Sequence, residues 1–132
     1  MRGWLRRAGA ANAPDPDVGP ELEPFRDGLA VLVRDGRPVG HAATSLGHFR
    51  TPFAPRTPQP WVWLVVVWED GTKEWSVEDY PPWSYVAEMR DGYLDLQDGR
   101  DPQRFGRYEI EWVAPHLAHA ERERLGIRAA DF

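Results

Sequence analysis

The sequence WVWLVVVW occupies positions 61–68 and decides how the rest of the chain has to fold. Its residues are β-branched or aromatic except for one leucine, which favours an extended strand. A continuously apolar strand has no solvent-facing side, so both of its faces need covering by other parts of the chain. The segment is also far shorter than the ~20 residues of a transmembrane helix. We therefore predict a central strand that is buried on both faces, and no membrane span.

A turn signal, Asp70-Gly71, directly follows this strand. A two-residue type I′ turn at this position fixes the pairing of the central strand with residues 73–78. The pairs predicted on one face are Trp68 with Lys73, Val66 with Trp75 and Leu64 with Val77, and on the other face Val67 with Glu74, Val65 with Ser76 and Trp63 with Glu78. The first face has apolar partners, whereas the second places an apolar strand beside a polar one.

Strand and helix patterns flank this hairpin. Residues 29–34 and 37–43 are β-prone and are joined by a second hairpin signal, Asp35-Gly36, while residues 108–112 alternate apolar and acidic side chains. Residues 82–91 favour a short helix, and residues 115–125 favour a helix that begins at a proline and ends before a glycine. The predicted fold is α+β, mainly an antiparallel sheet with the C-terminal helix packed on one face. A small, strongly curved barrel is the alternative architecture.

The chain divides into a tail and one domain. Residues 1–24 carry three arginines and then an acidic, proline-rich run, with too few apolar residues to offset the entropy of ordering. We predict a flexible tail there and a single β-rich domain over residues 25–132. Prolines at 52, 55, 58 and 60 predict a Pro-rich loop over residues 47–60, where Phe53 and Arg56 are candidate contacts for a protein partner.

Composition limits the classes of function. The chain has no cysteine, which excludes disulfides, thiolate metal sites and a cysteine nucleophile. A net charge of -5 argues against a dedicated nucleic-acid or anionic-membrane binder, because both depend on a basic field. The N-terminal residues lack the apolar segment of a secretory signal, and the basic residues are almost all arginine. We expect a bacterial, cytoplasmic protein.

Exposed aromatic side chains form the leading candidate site. Trp61 and Trp63, with Glu78 across the ladder and Glu74 further along, would make an aromatic wall with acidic neighbours. Such a wall suits a cationic or planar ligand. The alternative is that the C-terminal helix or the first hairpin covers this face as ordinary core.

Metal and catalytic patterns are weaker. His116, His119 and Glu123 share one face of the predicted C-terminal helix and could ligate a metal, but the zincin pattern is absent and a solvated helix face explains them as well. His41 and His48 with Glu78 or Glu111 could form an acid–base cleft, although no motif assigns their roles. No phosphate-binding or dinucleotide-binding motif occurs, so no cofactor is predicted.

The function predicted from the sequence is a non-catalytic binding module that contacts a protein partner through the Pro-rich loop and the tryptophan-rich surface. Seven tryptophans support this choice, because tryptophan is enriched at interface anchors. The alternatives are a small enzyme with a histidine–carboxylate cleft, a homodimer that pairs the uncovered faces of two central strands, or an inhibitor or immunity-type protein.

Overall fold

A computed structural model describes residues 20–51, 54–75, 83–97 and 100–132 of the chain. The strands are β1 (Leu29–Arg34), β2 (Arg37–Thr51), β3 (Ala54–Trp68), β4 (Lys73–Trp75), β5 (Tyr93–Leu96) and β6 (Gly106–Trp112), and the α-helices are α1 (Trp83–Arg90) and α2 (Pro115–Arg124). Short 3₁₀ helices span Pro20–Phe25, Pro102–Arg104 and Ala129–Asp131. All neighbouring strands are antiparallel, in the order β4-β3-β2-β1-β6-β5. The predicted α+β class is confirmed.

The sheet curls into a half-barrel around the α1 side. Trp68 on β3 and Tyr108 on β6 are three strands apart, a separation of ~14 Å on a flat sheet. Their ring centroids are 5.6 Å apart. Curling therefore brings the two ends of the sheet together over an inner core, which includes Phe25, Leu32, Val62, Leu64, Val66, Trp68, Met89, Leu94, Tyr108 and Ile110.

The central strand is covered on both faces, as predicted, over Val62 and residues 64–68, whereas Trp63 is partly exposed. Val62, Leu64, Val66 and Trp68 belong to the inner core. Val65 and Val67 point the other way, into an outer core completed by α2 and the segment after it; this outer core consists of Leu29, Ala43, Val65, Val67, Ala118 and Ile127. Two separate hydrophobic clusters thus share one strand.

The register of β3 with β4 differs from the predicted one by one residue. Val65 pairs with Trp75, Val66 with Glu74 and Val67 with Lys73. The cause is a three-residue loop, because the Trp68 N–H bonds to the Thr72 carbonyl at 2.9 Å and Gly71 takes a left-handed φ of 87°. A shift of one residue reverses the face of every side chain, so Lys73 lies on the outer face and Glu74 on the inner face. The hairpin at Asp35-Gly36, in contrast, is the predicted two-residue turn, with Arg34 opposite Arg37.

The predicted Pro-rich loop over residues 47–60 is wrong, because most of it is strand. Gly47 pairs with Trp61, His48 with Pro60 and Phe49 with Gln59. Even-numbered residues of β3 direct their backbone groups away from β2, as the bond from Trp68 N–H to Thr72 shows. The N–H that Pro60 lacks would point away from β2. The proline therefore does not interrupt the hydrogen bonds between β2 and β3.

The domain begins earlier than residue 25. The 3₁₀ helix Pro20–Phe25 buries Leu22 and Phe25 in the inner core, so the predicted tail boundary is wrong for residues 20–24. Residues 1–19 lie outside the described part of the chain. Both predicted helices are present, and each ends at a glycine with positive φ, Gly92 after α1 and Gly126 after α2.

Within the described ranges, no helix combines the length and the apolar composition needed to cross a membrane.

Tyr85 provides a test of how α1 is held to the sheet. Its hydroxyl donates a buried hydrogen bond of 3.0 Å to the carbonyl oxygen of Val62. We predict that Tyr85→Phe lowers the free energy of unfolding by about 1–3 kcal/mol, because the carbonyl then loses a donor in a buried environment. Urea denaturation measures this change. Tyr93→Phe is the matched control, since the Tyr93 ring packs under Arg107 at the surface; equal effects of the two substitutions would contradict the prediction.

Candidate functional site

Two members of the predicted aromatic wall, Trp63 and Glu74, lie on opposite faces of the sheet. Trp63 is on the outer face and 39% exposed. Glu74 is on the inner face, where its carboxylate accepts hydrogen bonds from the Trp68 indole N–H and from the Arg100 backbone N–H. The one-residue register shift is the reason, and Glu74 therefore has a structural role.

The other predicted contact residues are only partly described. Phe53 and Glu78 lie outside the described residues. For Arg56 and Trp61 the structure describes the backbone, which belongs to β3. Trp63 is thus the one predicted contact residue whose side chain is described on an exposed surface.

Trp63 lies at the base of a two-stranded arm, which we define as residues 45–51 of β2 and 54–63 of β3. The pairing of β1 with β2 ends at Ala43, and the described pairing of β4 with β3 reaches Val65, where the description of β4 also stops. Among the described residues, the arm therefore pairs only within itself. The indole covers Gly47, because a Cβ added there would come within 2.8 Å of its Nε1. The glycine provides the space into which the ring packs across the arm.

The outer face next to Trp63 is closed by α2 and the C-terminal segment. Val65 and Val67 are buried against Ala118 and Ile127. Lys73 Nζ fixes the C-terminal segment by donating to the Gly126 carbonyl at 2.7 Å and to Asp131 at 2.9 Å. The alternative interpretation of this face as ordinary core thus holds for Val65 and Val67, while Trp63 stays partly exposed.

A cleft of about 670 Å³ opens beside the base of the arm. It lies between the 3₁₀ helix Pro20–Phe25, α2 and the C-terminal segment. Its lining includes Asp27, Ser45, Trp112, His119, Arg122 and Phe132. This volume is within the ~300–1,000 Å³ typical of small-ligand pockets.

Backbone hydrogen bonds and an aromatic ring hold Arg122 in this cleft. Its Nη1 donates to the carbonyls of Gly28 at 2.8 Å and Thr44 at 2.9 Å, and its guanidinium lies 5.1 Å from the centre of the Phe132 ring. Burial lowers the pKa of Arg122, and the charge of Asp27 opposes that shift. The sequence analysis missed this residue, although its spacing between Ala118 and Leu125 puts a cation in the apolar stripe of α2.

Two of the three candidate metal ligands contact each other on the surface of α2. His119 Nε2 lies 2.9 Å from Glu123 Oε1, and both side chains are well exposed, as is His116. Within the described part of the chain, no group of three histidine or acidic side chains is arranged to hold a metal ion. The solvated helix face is the interpretation that this geometry favours.

The candidate acid–base pair of His41 and Glu111 is separated. Glu111 pairs with Val31, and Val31 pairs with His41, so the two side chains stand two strand spacings apart, ~10 Å. His41 is half-buried under α2, and burial lowers its pKa while the nearby Glu121 raises it. The side chain of His48 and all of Glu78 are outside the described part. This pair lies beyond the hydrogen-bonding reach that a catalytic pair requires.

Arginines at the rim of the half-barrel stack on its own aromatic rings. The guanidinium carbons of Arg34, Arg104 and Arg107 lie 4.1, 4.7 and 3.8 Å from the ring centres of Tyr108, Trp68 and Tyr93. Arg104 also bonds to Thr72 and Asp70 in the β3–β4 loop. The connection between β5 and β6 is thereby joined to the opposite end of the sheet, and it closes the rim through side chains.

Comparisons with protein-family models, with curated proteins and with solved structures find no match to this chain.

The rim contacts predict an acid-dependent loss of stability. Hydrogen bonds from the Thr72 hydroxyl and backbone, and then from Arg104, lower the pKa of Asp70 from 3.8 to about 2. Between these values the unfolded state binds more protons than the folded state, so stability falls as the pH falls. We predict that Asp70→Asn flattens this dependence between about pH 4 and pH 2.

Thermal unfolding followed by circular dichroism at each pH measures the effect. Asp35→Asn is the control, because it removes the same charge from the other hairpin turn, where asparagine also tolerates the positive φ of 54°. The prediction is wrong if Asp70→Asn and the control retain the same acid dependence as the wild type.

Proposed function

We propose that this chain is a non-catalytic binding module that holds an extended protein segment along the arm, with the indole of Trp63 as an anchor. The observation that carries the proposal is the pairing of the arm: among the described residues, its β2 strand extends past the end of its pairing with β1. A strand edge with unpaired backbone groups accepts an added strand.

The two edges of the arm differ in what they offer a partner. Even-numbered residues of β2 direct their backbone groups toward the β1 side, as the bond from Thr44 N–H to the Gly28 carbonyl shows. Beyond Thr44, the N–H groups of Leu46 and His48 have no backbone partner among the described residues. On the other edge, Pro60 has no N–H to offer. These features support strand addition at the β2 edge rather than at the β3 edge.

Trp63 supports the proposal through its side chain. Aromatic anchors dominate the binding energy of many protein interfaces, and this indole is 39% exposed at the base of the arm. The ring stands on the outer face, opposite Ser45. A strand added to β2 would lie two strand spacings from β3, ~10 Å, but the Trp63 ring leans over Gly47 of β2 and so extends toward that strand.

The other classes of function have less support. The separation of His41 and Glu111 removes the described part of the proposed enzyme cleft. A homodimer remains a proposal, since the same β2 edge also fits a second copy of the chain. Sedimentation velocity distinguishes the two: a monomer at micromolar concentration favours a separate partner, and a dimer that His48→Pro dissociates favours self-pairing.

The proposal is tested with extended peptides selected on the folded protein from a random display library. We expect Trp63→Ala and His48→Pro to weaken binding of the selected peptides at least about tenfold, the first by removing an anchor and the second by removing a donor from the open edge. Fluorescence anisotropy with labelled peptide measures the affinity.

Leu117→Ala is the matched control, because Leu117 is another large apolar side chain, 52% exposed, that lies on α2 and outside the arm. The Leu117→Ala variant is expected to bind the selected peptides with wild-type affinity. Circular dichroism checks that each variant is folded. An empty selection, or peptides that bind Trp63→Ala and His48→Pro as tightly as the wild type, would refute the proposal.

A further inference from the structure

Arg122 is a half-buried cation without a carboxylate partner. Its burial is sufficient to lower its pKa, yet no acidic side chain of the described residues lies within ion-pairing distance of it. Charged groups that leave water are normally paired, because desolvation is costly. The two backbone carbonyls that it contacts are neutral acceptors and do not balance its charge.

Most acidic side chains around the cleft contact groups other than Arg122. Glu23 pairs with Arg26, Glu123 pairs with His119, and Asp131 accepts from Lys73 and from the Arg128 backbone N–H. Asp27 acts on Arg122 only through its charge at a distance. No carboxylate of the described residues therefore contacts the guanidinium, although the charge of Asp27 partly offsets its own.

The guanidinium also has N–H groups that make no hydrogen bond to a described residue. Of its five N–H groups, those on Nη1 bond to Gly28 and Thr44. Its Nε and Nη2 carry three more, and no hydrogen bond from them to a described residue is present. A guanidinium edge with two adjacent nitrogens matches the two oxygens of a carboxylate.

Aromatic side chains line the same cleft as Arg122. Phe132 lies over the guanidinium, and Trp112 lines the same cleft, 38% exposed and packed edge-on against Phe25 at 5.5 Å. A few polar groups within apolar walls are the usual composition of a small-molecule site. The ligand that fits these walls carries an aromatic or aliphatic body.

We propose that the cleft binds a small carboxylate-bearing ligand, whose carboxylate pairs with the Nε and Nη2 edge of Arg122 and whose apolar body packs against Trp112 and Phe132. A single negative charge matches the one half-buried cation of the lining that has no carboxylate in contact. A phosphate dianion fits less well, because the acids Glu23, Asp27 and Glu123 surround the cleft and would repel the second charge. The inference is independent of strand binding at the arm.

The test uses phenylacetate and its neutral isostere phenylacetamide as probes in ¹H–¹⁵N NMR titrations of the wild-type protein. Phenylacetate is expected to shift the Trp112 indole resonance with a dissociation constant in the millimolar range or below. Phenylacetamide is expected to bind at least about tenfold more weakly, because it cannot form the charge-assisted pair. Equal binding of the two probes, or shifts that leave the Trp112 resonance unchanged, would overturn the proposal.

Substitutions then locate the charge. Arg122→Lys keeps a cation that can still bond to the backbone carbonyls but loses the two-pronged edge, so phenylacetate affinity is expected to fall at least about tenfold. Arg124→Lys is the matched control on the same helix, where the side chain pairs with Glu121, and its affinity is expected to stay at the wild-type value.

If Arg122→Lys does not fold, Phe132→Ala replaces it, and a loss of at least about fivefold is expected from the apolar wall. An unchanged affinity in the folded variant overturns the proposal. Inorganic phosphate is titrated in parallel, and binding as tight as that of phenylacetate would also overturn it, since it would show an anion site without selectivity for the carboxylate.

Discussion

Burial of both faces of β3 is the constraint on which the rest of this structure depends. Val66 and Trp68 on one face and Val65 and Val67 on the other all leave water, and at ~25 cal/mol per Å² each face contributes substantially to stability. One layer cannot satisfy two faces, so the chain provides a curled sheet with α1 on the inner side and α2 with its following segment on the outer side.

The fold class could be predicted from the sequence because several clear patterns of apolar and turn-forming residues agree with one another. The apolar run at 61–68, the alternation at 108–112 and the capping glycines after both helices each point to one structure. The register of the second hairpin could not be predicted, because Asp70-Gly71 also suits a three-residue loop in which only the glycine is left-handed. Hydrogen bonds from Thr72 and Arg104 to Asp70 favour that loop, and Arg104 is distant in sequence.

The candidate site was harder to predict than the fold, since it depends on which side chains the register brings to one face. Because the register of β3 with β4 differs by one residue from the predicted one, Glu74 lies on the face opposite Trp63. The pairing of β2 with β3 along the arm was also not predicted, because the spacing of the prolines does not reveal whether the side that lacks an N–H faces a partner strand. Arg122 had a detectable signal, a charge within the apolar stripe of α2, but its meaning required the cleft and the carbonyls of Gly28 and Thr44.

The position of Lys73 has a chemical consequence. It is the only lysine of the chain, and its ammonium group joins β4 to the Gly126 carbonyl and to Asp131. Acylation of Nζ removes the charge and leaves one N–H, which cannot make both contacts. Side-chain labelling by amine-directed reagents is therefore confined to one atom, and its rate reports how often the C-terminal segment separates from the sheet, so that a single reactive position serves as a built-in probe of local opening.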